Sequence, residues 1–323
     1  MPEPAQPCRI CGSQEVADRL QVREMMYGTR DRFAYFRCAA CGCLQLAEVP
    51  ANLSRHYPND YYSFQAPENA ALLWWTKIKL KLARPFMTRH KLGWGSVLGR
   101  LLCQFQEGPL VPEWLRFLPR PIPFDTAILD VGCGSGGTLL KLRNCGFTNL
   151  RGADPFIQES ITYAGGVRVE KLELSEVPGK FSLITFNHVC EHLADPVTAL
   201  QQARQRLAAG GLILVRIPLA DSVAAQKYRE NWVQLDAPRH ITLQTRHSME
   251  ILARQAGLKI VRVVYDSTEF QFLGSELYLQ DIPLRDERSQ SVFSPAVIQR
   301  FALEAARLNA LEKGDQAAFL LAA

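Results

Sequence analysis

The order of apolar runs along this chain predicts an α/β fold, a mostly parallel and doubly wound sheet, with a small cysteine-rich module ahead of it. Three observations carry that reading. From Asp125 onward, short apolar runs alternate with segments of helical periodicity, the pattern of a parallel sheet covered by helices. A glycine-rich turn, Val131-Gly132-Cys133-Gly134-Ser135-Gly136-Gly137, lies between the first such run and the first such segment. Two Cys-x-x-Cys-Gly elements, Cys8-Arg-Ile-Cys11-Gly12 and Cys38-Ala-Ala-Cys41-Gly42, stand near the N-terminus.

At 323 residues, 47% hydrophobic and 21% charged, the chain has room for one full α/β domain and a smaller unit, and its composition excludes a disordered or fibrous protein. No run approaches the roughly 18 apolar residues that cross a bilayer. The opening MPEPAQPC has neither the basic nor the apolar region of a secretion signal, so a cytoplasmic location is expected. In a reducing compartment the crowding of Cys8, Cys11, Cys38, Cys41 and Cys43 favours metal binding over disulfides. Each Cys-x-x-Cys-Gly element forms a tight turn, and two such turns supply four tetrahedral ligands for a structural zinc: Cys8, Cys11, Cys38 and Cys41. The net charge of +5 is modest, the cysteine loops hold few basic residues beyond Arg9 and Arg37, and no aromatic stacking motif is apparent, so no nucleic-acid partner is expected.

Residues 1–50 are read as the zinc-binding module, with Arg32–Arg37 as a strand. Residues 51–123 are read as a basic amphipathic arm and a proline-rich linker. Between Glu68 and Glu107 there is no acid, and basic residues interleave with Trp74, Trp75, Ile78, Leu80, Leu82 and Phe86. Two placements fit residues 72–92: a helical arm packed on the catalytic domain, or a peripheral contact with an anionic membrane or charged glycan carrier. Pro109, Pro112, Pro119, Pro121 and Pro123 then lead into the main domain, 124–323.

Within that domain Ala127–Val131 reads as the first strand and Thr138–Cys145 as a helix closed by Gly146. Leu150–Asp154 and Phe181–Phe186 are further strands. Asp195-Pro196 opens a helix with Val197, Leu200, Ala203 and Leu207 on one face. Gly210-Gly211 turns the chain into a buried strand, Leu212–Ile217. A helix over about Arg246–Ala256, a strand at Lys259–Tyr265, a helix near Val297–Leu311 and a closing strand at Gln316–Leu321 complete the pattern, with an insertion at about 267–315.

In the glycine turn, missing Cβ atoms let backbone N–H groups and the positive helix end approach a nucleotide-like ligand. Gly132, Gly134 and Gly137 also satisfy the dinucleotide fingerprint, and Asp154 stands where either kind of cofactor needs an acid for its ribose. From the turn alone, an NAD-dependent oxidoreductase remains open. So does a non-catalytic protein whose zinc module and basic arm bind nucleic acid.

From about Phe124 to the end, the chain resembles the class I S-adenosylmethionine methyltransferases. Ile128–Gly136 matches their first motif, Phe181–Pro196 their fourth-strand segment and Leu207–Pro218 their fifth-strand segment, in order. The resemblance implies a Rossmann-like, seven-stranded sheet with an antiparallel last strand, and S-adenosylmethionine as cofactor. It implies further that Asp130 and the Gly132, Gly134 and Gly136 backbone hold the methionine part, Asp154 the ribose hydroxyls, with Asn187 also on the cofactor side.

On the acceptor side, Asn187-His188-Val-Cys-Glu191-His192 follows the fourth strand, at the edge where ligands bind in open α/β folds. It is similar to the Glu-x-x-Glu-His that holds a divalent metal in small-RNA and ubiquinone-type O-methyltransferases. With His188 replacing the first Glu, a structural or cofactor-adjacent role for Glu191 and His192 is the expectation. The segment Trp232–Ser248 resembles the one that carries the proposed base of sugar C-methyltransferases, which also begin with a four-cysteine zinc module and share a tyrosine-rich stretch like Tyr57-Pro-Asn-Asp-Tyr-Tyr62. His240 falls on that base position, while Arg239 replaces the usual preceding Glu. His240 is therefore the first candidate base, His188 the second, and Tyr62 is expected to close over the acceptor. The acceptor so implied is a small molecule or glycan, such as a sugar of a surface polysaccharide or lipid-linked glycan.

Overall fold

The computed structural model describes residues 7–58, 63–64 and 111–323. Tyr62 and the basic arm at 72–92 lie outside the described residues. Among those described, no helix is long and apolar enough to cross a membrane.

Near the N-terminus, β1 (Val16–Arg23), β2 (Arg32–Cys38) and β3 (Leu44–Leu46) pair antiparallel in sequence order. A fourth strand from far along the chain, Thr242–Leu243, completes the sheet on the free side of β3. The second sheet has eight strands. Its first six in chain order are β4 (Ile128–Val131), β5 (Leu150–Ala153), β6 (Ile161–Thr162), β7 (Arg168–Glu170), β8 (Phe181–Asn187) and β9 (Leu207–Pro218). With Thr242–Leu243 counted as β10, the last two are β11 (Lys259–Tyr265) and β12 (Gln316–Ala322), and the spatial order is β11-β12-β9-β8-β4-β5-β7-β6. The pairs β4 with β5, β4 with β8 and β5 with β7 are parallel. The last strand is antiparallel, as the resemblance implied.

Burial explains the order. β12 is apolar and fully buried from Ala317 to Leu321, the reading of a central strand, whereas β11 exposes Val261 and forms an edge. The sheet has one strand more than the seven expected. β6 is a two-residue strand, antiparallel to β7, in the crossover from β5 to β7. That crossover contains Pro155 and the left-handed Gly165 and Gly166, so it folds as a hairpin and shows no helix. β9 also begins earlier than Leu212. Gly210, at φ +68°, sits inside the strand and does not end a turn before it.

The helices are α1 (Gly137–Cys145), α2 (Pro196–Arg206), α3 (Val223–Tyr228), α4 (Arg246–Gln255), α5 (Phe270–Leu279) and α6 (Pro295–Ala310). Local sequence sets their ends. Gly146 closes α1 at φ +114°. The Asp195 carboxylate accepts from Thr198 N at 3.0 Å to start α2, and Ser294 with Pro295 starts α6. The proline-spaced stretch is no exposed tether over 111–118, since Val111, Trp114, Leu115, Phe117 and Leu118 are all buried.

The chain divides into two compact units. One comprises the described residues within Met1–Pro58, His188–Gln201 and Val215–Phe319, the other those within Asn59–Asn187, Gln202–Leu214 and Leu320–Ala323. In the first unit, Leu20, Val22, Tyr35, Leu44 and Leu46 share one core with Trp232, Leu243, Phe272, Ala305 and Leu308. The N-terminal strands, β10 and the two insertion helices α5 and α6 are thus packed together. Burial of that apolar set is their main stabilisation.

Candidate functional site

In the second unit, β4 ends in Asp130 and Val131 and the chain turns through Gly132, Gly134 and Gly136 at φ +63°, +53° and +87° into α1. Each of these glycines holds a left-handed conformation that costs other residues about 1 kcal/mol or more. Space demands it as well: a Cβ on Gly134 would lie 2.1 Å from the Ser63 carbonyl oxygen, which accepts from Ser135 N at 2.9 Å. Asp154, just past β5, accepts from Gly134 N at 2.8 Å and from Phe156 N at 2.9 Å, so one carboxylate ties the turn to the neighbouring strand end. Asn187 is the last residue of β8, the strand beside β4.

Asp130 and Asp154 are only 3% and 5% exposed. Burial pushes the Asp130 carboxyl up to about 7; the 2.6 Å hydrogen bond from Thr185 Oγ1 works against this and the charge of Asp154 adds to it. None of these influences is positive. A ligand carrying positive charge would relieve two buried acids beside the glycine turn, which fits the sulfonium and ammonium of S-adenosylmethionine.

In the first unit, the four sulfurs of Cys8, Cys11, Cys38 and Cys41 lie within 4.8 Å of one another, Cys8 to Cys41 and Cys11 to Cys38 at 3.5 Å. The two turns are built alike. Gly12 N donates to Cys8 O at 2.8 Å and Gly42 N to Cys38 O at 3.0 Å, with both glycines near φ +73°. Ile10 N and Gln45 Nε2 point at the Cys8 sulfur at 3.4 and 3.1 Å. The Cys41 thiol against it, opposed by burial, holds Cys8 below the usual thiol range. Four clustered sulfurs with amide donors around them fit one tetrahedral ion, whose thiolates sit about 3.8 Å apart at a metal–sulfur distance of about 2.3 Å. Cys43 is fully buried and outside the group.

The histidines form a second cluster in the same unit. His188, at φ +57°, places Nδ1 3.1 Å from Glu191 Oε1 and Nε2 3.1 Å from Arg216 Nη1. A carboxylate accepts and a guanidinium donates, so both ring nitrogens of His188 are engaged. His192 Nδ1 donates to the Arg239 carbonyl at 2.9 Å, and His240 Nδ1 to the Gln234 carbonyl at 2.7 Å. Their rings meet edge to face, 4.6 Å between centroids. Burial, then the nearby charge of His240, lowers His192 to about 4. Burial alone would raise Glu191, but His188, His240 and His192 together hold it below the usual carboxylate range.

Arg239 explains its own departure from the family pattern. Fully buried, it bonds Asp236 through Nε and Nη2, Glu24 at 2.7 Å and the His56 carbonyl at 3.1 Å. It locks the segment that presents His240, whose carbonyl accepts from Tyr35 Oη at 2.7 Å. Sequence reasoning missed Glu24, Tyr35 and Asp236. Only the acid Asp236, three residues before Arg239, left a local signal.

Residues 105–263 match the family profile described as a methyltransferase domain. These residues carry a methyltransferase domain. The match decides between the two cofactors that the glycine turn allowed. The methyltransferase domain is similar to a tRNA U34 carboxymethyltransferase of Campylobacter hominis, 30% identical over 119 residues, covering 32% of this chain and 42% of that one. It is also similar to a ribosomal protein L11 methyltransferase of Methylobacillus flagellatus, 32% identical over 135 residues, covering 39% and 43%. The chain thus spans less than half the length of either relative. Among solved structures, an S-adenosylmethionine-dependent methyltransferase from Mesorhizobium loti aligns at 15% identity with a TM-score of 0.41, covering 62% of this chain and 93% of that one.

Proposed function

We propose that the protein transfers a methyl group from S-adenosylmethionine to a small-molecule or glycan acceptor, with His240 as general base. The observation that carries the transfer is the methyltransferase-domain match over a glycine turn flanked by two buried acids. In this reading Asp130 and the Gly132–Gly136 backbone hold the methionine part of the cofactor, Asp154 the ribose and Asn187 its neighbourhood. The bound cofactor supplies an electrophilic methyl on a sulfonium. When the methyl passes to an acceptor hydroxyl, with a neutral thioether as the leaving group, His240 Nε2 would take the hydroxyl proton. Because Nδ1 of His240 is spent on the Gln234 carbonyl, Nε2 is the nitrogen with the lone pair. His188 has no such lone pair to offer, since Arg216 fills its Nε2.

The zinc reading of Cys8, Cys11, Cys38 and Cys41 and the division into 1–50, 51–123 and 124–323 belong to the same proposal, with residues 72–92 as the segment that would touch a membrane or carrier. The glycan acceptor is supported by the resemblance of the cysteine module, Tyr57–Tyr62 and His240 to the sugar C-methyltransferases. By their names the two relatives act on a tRNA and on a ribosomal protein, so the expectation of no nucleic-acid partner has lost its support. Methyl-labelled cofactor incubated with the protein and a cell lysate, followed by identification of the labelled product, tests the acceptor. Label in a glycan or small molecule is expected, and label in RNA or protein alone would overturn that class.

A further inference from the structure

We propose that Glu191, His192 and His240 hold a divalent first-row transition-metal ion, separate from the four-cysteine group. The three side chains can each bring one ligand atom within 4.8 Å of the others. What makes this a site is the way the remaining atoms are used. Each histidine spends its Nδ1–H on a backbone carbonyl, Arg239 O for His192 and Gln234 O for His240. Carbonyls only accept, so both tautomers are fixed with the Nε2 lone pairs exposed, the arrangement by which proteins orient metal-binding imidazoles. On Glu191, Oε1 accepts from His188, while Oε2 is buried with no hydrogen-bond partner among the described residues. The residue is 1% exposed. Two imidazoles and a carboxylate that each bring one ligand atom within 4.8 Å of the others thus retain Nε2 lone pairs and a carboxylate oxygen that meets no donor among the described residues.

Charge runs the same way. Glu24 and Asp236 share the single guanidinium of Arg239, and Arg216 is itself paired with Asp266 at 2.6 Å. Glu191 Oε1 has His188 for its partner, and the Nε2 of that ring is taken by Arg216. A buried carboxylate oxygen that meets no donor among the described residues, beside two imidazoles whose Nδ1 atoms are spent on carbonyls, is a set of acceptors that a cation would satisfy. Backbone holds the three in place: Ile241 N donates to Glu191 O at 2.7 Å, tying the 190–192 turn to the strand after His240. Two nitrogens and one carboxylate suit zinc, iron(II) or cobalt(II), where magnesium and calcium prefer all-oxygen sets. Three protein ligands leave a coordination position for water or an acceptor oxygen.

The inference rests on the same His240 tautomer as the proposed base, but not on methyl transfer. Proton and ion compete for one lone pair. With an ion bound, His240 Nε2 would serve as a ligand, and the ion would supply the acidification of an acceptor oxygen that the free imidazole otherwise serves.

The test is a cobalt(II) titration of full-length protein carrying one equivalent of zinc, which the four thiolates take in preference to a nitrogen and oxygen set. A further equivalent should bind with visible d–d bands and without the near-ultraviolet thiolate charge transfer that a cysteine site would give. Glu191→Gln keeps an acceptor for His188 and His240→Gln keeps a donor for the Gln234 carbonyl. Each should weaken this binding by more than the roughly 10–100-fold that loss of an outer-shell partner costs. No further bands at millimolar cobalt, or undiminished bands in both folded variants, would overturn the site. Since the readout needs neither cofactor nor acceptor, cobalt binding without any methyl transfer would refute the proposed function and leave the site standing.

Discussion

At the scale of single residues, the two roles assigned by resemblance rest on different physics and are tested separately. His240→Asn should keep the affinity for S-adenosylhomocysteine while lowering turnover roughly 10²–10⁴-fold, the span for losing a positioned proton acceptor. Wild-type turnover in the variant would make His240 structural. Asp130 governs the cofactor side. Its carboxyl loses its proton near 3.8 when unfolded and at about 7 when folded. Between those values the native state binds more protons, so the group's contribution to stability is full below 3.8 and is lost as pH rises through 7. A cationic cofactor favours the ionised form. Its binding should therefore release a proton near pH 6 and raise the melting temperature more at pH 8 than at pH 6. Calorimetry in two buffers of different ionisation enthalpy checks the release, and Asp130→Asn should abolish it.

At the scale of elements, two short segments do most of the placing. The turn from β4 into α1 depends on Gly134, where a Cβ would meet the Ser63 carbonyl at a left-handed φ. Gly134→Ala should weaken S-adenosylhomocysteine binding by at least tenfold, about 1.4 kcal/mol, and unchanged calorimetric affinity would show that the Ser63 segment yields. The segment 236–243 carries Asp236, Arg239, His240 and β10 within a few residues. Arg239→Met would strand the buried Glu24 and Asp236 and should cost roughly 3–5 kcal/mol in chemical denaturation. A loss below about 1 kcal/mol would mean that solvent reaches the network.

At the scale of the whole molecule, the four-cysteine group is part of a larger unit. Its strands share a sheet with β10 and a core with Trp232, Phe272 and Leu308, and Thr245, the N-cap of α4, donates to the Cys41 carbonyl at 2.8 Å. Cys38→Ser, or a chelator acting on the ion proposed there, should thus lower the unfolding midpoint followed by the share of tryptophan fluorescence that a Trp232→Phe variant lacks. An unchanged Trp232 transition would show that the N-terminal strands unfold alone.

The sequence by itself determined what depends on neighbours along the chain. Periodicity placed Lys259–Tyr265 to the residue, Gly146 and Asp195-Pro196 marked helix ends, and the doubled Cys-x-x-Cys-Gly spacing named four sulfurs that do cluster, because turns and caps are local chemistry. The candidate base His240 and the glycine turn were likewise legible as motifs. Tertiary structure alone decided the rest. The eighth strand arose in a crossover too rich in turn residues to form a helix. The closure of the N-terminal sheet by Thr242–Leu243 joins residues about two hundred positions apart, which no local period records. The tautomers of His192 and His240 and the open oxygen of Glu191 follow from carbonyls and ion pairs brought in from distant segments. Hydrogen-bond partners fix a side chain's chemistry, and those partners are assigned only when the chain folds.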